Sequence, residues 1–281
     1  MTSLLSPPEQ RITHALRDLS EWTEHFRAAE IPVLARTSEA LEALRRVEDE
    51  VDANNLGEMI SGDPLMTLKV LAFVAANRSR RAVTDTETVT AALVMIGIPP
   101  FFRAFGPQPT VEDRLADMPD ALAGLSEALR RAHRAATFAL GFAVHRMDPD
   151  AARIHNAALL HGFAEMLLWC HAPTLAMQIR QAQWDNPQLR SNVAQRSVLN
   201  VELADLQLAL MKTWRLPELL IRIGDERHRD QTNVKCATLA LRLARHSAQG
   251  WDNPAIPDDV DEIAILLNLS QDATLTLLQD I

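Results

Sequence analysis

The sequence has no tyrosine, two cysteines and nine glycines in 281 residues. Folds built from β-strands rely on aromatic residues within strands and on glycine in their many turns. Hydrophobic residues nevertheless make up 47% of the chain, and Ala, Leu, Arg and Glu recur throughout. Because these are strong helix formers, the composition predicts an all-α protein and argues against a sandwich or barrel.

Two further shortages limit where the protein can work. Cys170 and Cys236 lie far apart without a paired spacing, which argues against a disulfide framework and a zinc ribbon. No apolar run approaches the ~18 residues that a membrane-spanning helix needs. The N-terminal segment MTSLLSPPEQR lacks the basic region and apolar core of a signal peptide. We therefore expect a cytoplasmic protein with reduced thiols and no membrane partner.

Lysine is scarce as well, with three lysines beside 25 arginines and a net charge of −9. No lysine or arginine follows Arg245. That last stretch contains seven acidic residues: Asp252, Asp258, Asp259, Asp261, Glu262, Asp272 and Asp280. Duplex nucleic acid is bound mainly by neutralising its phosphates with Lys and Arg. The charge pattern therefore argues against nucleic acid as a partner and marks the C-terminal segment as the acidic part.

Apolar spacing and proline positions predict the organisation of the chain. A leading helix over 9–28 falls within a first segment, 1–30. Proline and glycine between Phe105 and Pro119 predict a boundary between two packed helical lobes, 31–105 and 119–250. The further predicted helices are 38–47, 54–60, 63–77, 88–96, 120–146, 150–171, 173–184, 190–212, 217–229, 232–249, 258–267 and 271–278. A short basic loop, Arg78-Ser79-Arg80-Arg81, follows the helix that ends at Asn77.

The residues 251–281 are predicted to form an acidic helical appendage. Pro254 and Pro257 stiffen the linker before it, and its charge differs from that of the rest of the chain. We expect this appendage not to be part of the main core. Truncation after about Gln249 should then leave the thermal midpoint nearly unchanged.

The segment DPLMTLKVLAFVAAN, residues 63–77, combines a helix start with a long apolar run. Asp63 is suited to cap the helix, and Pro64 fits its first position, where no amide donor is needed. We expect Asp63 to accept amide hydrogen bonds, Pro64 to set the entry direction and Asn77 to tie the far end to a neighbouring backbone. These roles are structural, and loss of the cap should cost about 1 kcal/mol.

This segment, with LGEMISG before it and ALVMIGI after it, resembles the N-terminal half of the HDOD family. A second segment, QLALMKTWRLPELLIRIGDERH, is similar to a later signature of that family through Trp214, Leu216, Pro217 and His228. The resemblance covers roughly residues 30–230. Three positions depart from the family pattern: Leu203, Gln207 and Arg227. The resemblance implies a second lobe related to the HD superfamily of phosphohydrolases, without its metal site, and a role in bacterial signalling.

An HD-type metal site would use a His, a later His-Asp pair and a further Asp to hold divalent cations that activate water. His133 matches the first position, and His161 matches the His of the pair. Gly162 replaces the Asp, and Glu165 stands where related phosphodiesterases carry a Lys. Because glycine offers no ligand, we predict no metal, no cofactor and no catalytic residue. His133 and His161 are then either core histidines or parts of a vestigial pocket.

The remaining candidates for a ligand pocket or partner surface are Glu165, Trp214 and His228. Glu165 is equally compatible with an ion-paired helix position, and Trp214 with an aromatic anchor between helices. Nucleophile and phosphate-loop motifs are absent from the sequence. The pattern favours a non-catalytic regulatory module that binds a signalling protein or a small ligand. The alternative is a degenerate metal-dependent phosphohydrolase acting on a nucleotide or cyclic dinucleotide.

Overall fold

The computed structural model describes residues 11–77 and 86–281, and within them the chain forms helices and no strand. The predicted all-α class is confirmed. The α-helices are α1 Leu19–Ala28, α2 Ala35–Arg45, α3 Ala53–Ser61, α4 Pro64–Asn77, α5 Val89–Ile96, α6 Ile98–Ala104, α7 Val111–Arg114, α8 Pro119–His145, α9 Ala151–Leu160, α10 Phe163–His171, α11 Pro173–Asp185, α12 Ser191–Leu199, α13 Leu203–Thr213, α14 Glu218–Ile223, α15 Thr232–His246, α16 Ile256–Leu267 and α17 Gln271–Asp280. Short 3-10 helices cover Glu48–Glu50 and Glu226–His228. The predicted basic loop, 78–81, lies outside the described residues.

Four predicted helices differ from those in the structure. The predicted helix over 217–229 is divided into α14 and the 3-10 helix Glu226–His228, and the other three each differ for a local reason. The leading helix begins at Leu19 and not at residue 9, because the Asp18 carboxylate caps it by accepting the Glu21 amide at 3.0 Å. The predicted helix over 150–171 is divided between α9 and α10, with Gly162 preceding α10. The predicted helix over 190–212 is divided at Asn200, whose φ of 65° is left-handed and ends α12.

Helix α4 lies between the two lobes. It packs against α3 and α5 on one side and against α9 and α10 on the other. Eight of its residues are buried: Pro64, Leu65, Met66, Thr67, Leu68, Val70, Leu71 and Val74. A helix that is apolar on all faces must be surrounded by protein. This surrounding explains why Lys69 is the only charged residue within the helix, where its ammonium contacts Glu30, the Ile31 carbonyl and Gln108.

The second lobe is built around α8, which packs against α9, α10, α11 and α15. Its buried face is rich in alanine and glycine, and such small side chains let neighbouring helices approach closely. Gly124 shows this most clearly, because a Cβ atom there would overlap the indole of Trp169. The long helix is therefore the central support for the surrounding ones.

Helix α1 precedes the first lobe in sequence but packs on the second lobe. It lies against α13, and the Trp22 Nε1 donates a hydrogen bond to the Leu199 carbonyl at 2.9 Å. Trp22 and Phe26 are buried, with their rings stacked 5.7 Å apart. The leading segment therefore closes one side of the second lobe.

The expectation that the acidic C-terminal segment stays outside the main core is wrong. Helix α16 packs on α15, and Val260, Ile263 and Leu267 are buried in the core. The buried carboxylate of Asp259 accepts hydrogen bonds from Arg242 at 2.5 Å and from His246 at 2.6 Å. The charge count did not reveal this docking, because the acids face outward or pair with α15 while the apolar residues face inward.

Both cysteines are free and buried. Burial raises the pKa of the Cys170 and Cys236 thiols to about 12, so both stay protonated at neutral pH and are poor nucleophiles. No helix within 11–77 or 86–281 has the length and hydropathy required to cross a bilayer.

The docking of α16 and α17 predicts that truncation after Gln249 lowers the thermal midpoint by more than ~5 °C. Truncation exposes the apolar face of α15 that α16 covers, and in a protein of this size each kcal/mol shifts the midpoint by about 2–4 °C. Differential scanning calorimetry of the truncated chain measures the change.

Two isoleucines of α16 provide a matched control within the full chain. Ile263 is 0% exposed and Ile265 is 81% exposed. Ile263→Ala should cost about 2–5 kcal/mol by leaving a cavity, whereas Ile265→Ala should leave the free energy of unfolding nearly unchanged. Equal effects of the two substitutions would contradict the docked position of α16.

Candidate functional site

His161 and Gly162 lie at the junction between α9 and α10. The backbone at Gly162 has φ −105° and ψ 19°, a conformation open to ordinary residues. A Cβ atom added at Gly162 would meet nothing within 4 Å. Neither backbone conformation nor packing therefore requires glycine at the position where an HD-type site needs a carboxylate.

A cleft of about 720 Å³ opens beside this junction, between α8, α10, α12, α13, α14 and α15. His161, Gly162 and Glu165 line it from one side, and Gln207 lines it from α13. Alanine and methionine side chains supply much of the apolar lining: Ala128, Ala132, Ala135, Ala158, Met166 and Met211. Cavities of this size with apolar walls and a few polar groups are typical small-molecule sites.

Three charged groups of the cleft, Glu165, Arg131 and Arg242, are held in ion pairs, whereas the exposed Asp205 and Arg245 of its lining have none within the described residues. The Glu165 carboxylate contacts the guanidinium of Arg131 at 2.6 Å, and both side chains line the cleft. Arg242, which also lines it, is held by Asp259 at 2.5 Å and Glu262 at 2.8 Å. Glu165 is therefore an ion-paired acid. A single carboxylate that is already paired with a guanidinium is a poor ligand for a metal ion.

His133 does not line this cleft. The pKa of its imidazole is lowered mainly by burial; the charge of Arg36 and the ring of His155 lower it further, and the charge of Asp63 opposes them. Its buried Nε2 atom has no hydrogen-bond partner. The structure therefore does not bring His133 and His161 together at the cleft, although the sequence motif suggested a shared site. Among the described residues, no group of three or more His, Cys, Asp or Glu side chains is positioned to hold a metal ion.

Trp214 and His228 lie away from the cleft lining. Trp214 is half-buried at the end of α13, with its ring 5.8 Å from that of Phe163 at the start of α10. His228 is within 3.1 Å of the Gln231 amide nitrogen and 3.8 Å of Asp225. The Trp214 contact connects α13 with α10, and the His228 contacts hold the turn between α14 and α15. Pro217, the remaining signature position, immediately precedes α14.

Asp63 is completely buried and accepts three backbone hydrogen bonds. One carboxylate oxygen accepts the amides of Leu65 at 2.9 Å and Met66 at 3.1 Å, in the first turn of α4. The other accepts the amide of Leu34 at 2.8 Å, just before α2. Pro64 is the first residue of α4. Asn77 donates to the Phe73 carbonyl at 2.8 Å within its own helix.

Burial lowers the pKa of the histidines around the lobe contact: His133, His155, His161 and His171. The largest shift is that of His171, whose pKa falls to about 3 through burial and the adjacent positive charge of Arg114. The guanidinium of Arg114 lies 3.0 Å from the His171 Nδ1 atom, which as a neutral imidazole accepts this hydrogen bond. These imidazoles are neutral at pH 7.

Several cleft residues were not selected as site residues from the sequence: Arg131, Gln207, Arg242 and Arg245. Gln207 carried a sequence signal, because it departs from the pattern of the later signature. The arginines carried none, since 25 arginines occur along the chain. Their shared position follows only from the packing of α8 against α15.

A family model described as HDOD domain matches residues 31–230. Among solved structures, the MmoQ response regulator from Methylococcus capsulatus str. Bath is 18% identical, with 89% of this chain and 98% of that chain covered and a TM-score of 0.66. A virulence factor from Campylobacter jejuni subsp. jejuni is 16% identical, with 92% and 97% covered and a TM-score of 0.63. A search of curated protein sequences gave no significant match. At these identities the structural likeness shows the fold alone.

The contacts of Asp63 predict that Asp63→Ala costs about 2–4 kcal/mol in the free energy of unfolding. The substitution removes a helix cap worth ~1 kcal/mol and leaves the buried amide of Leu34 without an acceptor. Urea denaturation measures the cost. Asp52→Ala is the matched control, since Asp52 caps α3 by accepting the amides of Asn54 and Asn55 at an exposed site, and it should cost about 1 kcal/mol. Equal costs would contradict the tying role of Asp63.

The lowered pKa of His171 predicts a loss of stability in acid. The unfolded chain binds a proton at this imidazole below about pH 6.5, and the folded chain does so only near pH 3. The stabilising contribution is complete above pH 6.5 and declines as the pH falls towards 3. Between pH 7 and pH 5, wild type should lose about 2 kcal/mol more than His171→Asn. His14→Asn, at an exposed histidine, should keep the wild-type slope. A His171→Asn slope equal to that of wild type would refute the assignment.

Proposed function

The chain belongs to the HDOD family, as its motifs predicted, and on this premise we propose that it is a non-catalytic regulatory module. In this proposal it acts in the cytoplasm by binding a small ligand or a signalling protein. The response-regulator description of MmoQ, which shares the fold, supports a signalling role. The cleft beside His161 is the proposed binding surface.

The observation that carries the proposal is the glycine at position 162. A hard divalent cation needs several oxygen or nitrogen ligands, and a catalytic site must hold it firmly enough to activate water. The cleft offers His161, but Gly162 supplies no ligand and Glu165 is paired with Arg131. The residues present therefore do not fit a catalytic metal, and we regard His133, His161 and Gly162 as vestigial metal-site positions.

The proposal assigns the binding activity to the matched region and supporting roles to its flanks. Its two lobes are taken as 31–105 and 119–250, with the cleft in the second. The segments 1–30 and 251–281 flank them, and both contribute helices that pack on the second lobe. A flank that supports the cleft walls can influence binding without touching the ligand.

We predict that the purified protein holds no stoichiometric transition metal and does not hydrolyse phosphodiesters. The physical reason is the shortage of ligands at Gly162. Elemental analysis after incubation with Mn²⁺, Fe²⁺ or Zn²⁺, and assays with bis(p-nitrophenyl) phosphate and a cyclic dinucleotide, measure both properties. About one or more equivalents of metal, with hydrolysis lost in His161→Ala, would establish the degenerate phosphohydrolase instead.

Gly162→Ala is the matched control for His161→Ala. Because an added Cβ meets no neighbour and φ is negative, this variant should fold with an unchanged or slightly raised thermal midpoint. A marked loss of stability would mean that glycine is required by the fold, and its presence would then say nothing about catalysis.

A further inference from the structure

Gln207 is a buried polar residue whose side chain has no internal hydrogen bond. It is 9% exposed and lies on the cleft-facing side of α13. Its carboxamide makes no hydrogen bond within the described part of the chain. The carboxamide is not among the side-chain polar atoms closed off from solvent, so it is accessible from the open cleft. Nearby Gln195 differs, because its Oε1 atom accepts the Leu203 amide at 3.0 Å.

His161 lines the same cleft, and its ring makes no hydrogen bond within the described residues. Its Nδ1 atom is closed off from solvent, so Nε2 is the ring nitrogen that is accessible from the cleft. Burial lowers the pKa of the ring, which keeps it neutral at pH 7. A neutral imidazole has one donor and one acceptor nitrogen, and a carboxamide has a donor beside an acceptor. Two uncharged hydrogen-bonding groups are therefore left unused in one cleft.

The rest of the cleft limits the chemistry of its occupant. Ala132, Ala158, Met166 and Met211 form apolar lining, which suits the faces of a planar ring. The carboxylate of Glu165 and the guanidinium of Arg131 neutralise each other beside His161. The charges without an ion pair in the lining, Asp205 and Arg245, belong to exposed residues and are of opposite sign, so the lining around His161 favours an uncharged group. The cleft volume of about 720 Å³ exceeds that of a single heterocycle.

We propose that Gln207 and His161 form a recognition pair for a neutral planar heterocycle that carries an amide or lactam edge. The edge would pair its adjacent donor and acceptor with the carboxamide of Gln207, while the ring lies on the alanines and methionines. This inference rests on the proposed function in one respect: both take the cleft to be a binding site that does not catalyse a reaction. Gln207 is then a specificity residue, because its carboxamide is accessible from the cleft and makes no hydrogen bond within the described part of the chain.

Isothermal titration calorimetry of the full chain with uracil, hypoxanthine and nicotinamide tests the pair, with inorganic phosphate as the anionic comparison. At least one of the three heterocycles should bind saturably to wild type. Binding should weaken at least ~10-fold in Gln207→Leu and in His161→Leu, which corresponds to about 1.4 kcal/mol. Gln188→Leu, at an exposed glutamine outside the cleft, should bind as wild type does. Phosphate should neither bind nor compete.

Thermal stability separates recognition from a structural role. Gln207→Leu should keep or raise the thermal midpoint, because an unpartnered amide is replaced by an apolar side chain. Unchanged binding in both variants, no saturable binding of any of the three heterocycles, or a lowered midpoint in Gln207→Leu would overturn the pair. If any of these results were obtained and the protein also bound no metal and hydrolysed no phosphodiester, the recognition pair would be refuted and the proposed function would stand. Stoichiometric metal with hydrolysis would overturn the proposed function.

Discussion

The carboxylate of Asp63 is the constraint on which the placement of α4 depends. It accepts amides from the first turn of α4 and from the chain entering α2, so two segments that are 29 residues apart are fastened at one buried point. Helix α4, which starts there, is largely apolar and packs against α3, α5, α9 and α10. An uncompensated buried carboxylate would be strongly unfavourable. The buried carboxylate therefore requires all three amide donors, and the direction of α4 follows from their positions.

The second lobe combines a rigid support with an incompletely satisfied cleft. Small residues along α8 allow close helix packing, as the indole of Trp169 against Gly124 shows. The nearby cleft, by contrast, contains the His161 and Gln207 side chains without internal hydrogen bonds, although Glu165 and Arg131 beside them form an ion pair. Stability alone favours apolar replacements at such positions. Polar groups retained at this cost are typical of binding surfaces, where function and stability compete.

The region that carries the family motifs is not the whole folding unit. Trp22 of α1 is buried against the end of α12, and Asp259 of α16 is buried against α15. Both flanks cover helices of the predicted second lobe, so apolar surface within 119–250 depends on residues outside it. Arg242, which lines the cleft, is held in place by two acids of α16. The acidic C-terminal segment is therefore linked to the cleft through this arginine.

The sequence alone determined the helical class, most helix positions and the cap at Asp63, because periodicity and capping act over a few neighbouring residues. Its motifs also identified the family and the missing carboxylate at Gly162. Only the tertiary structure decided the break before α10, the separation of His133 from the cleft, the docking of α16 and the position of the Gln207 amide in the cleft. Each of these depends on which helix faces meet. That choice rests on the burial of apolar surface and the pairing of polar groups between residues far apart in the chain, which no local pattern records.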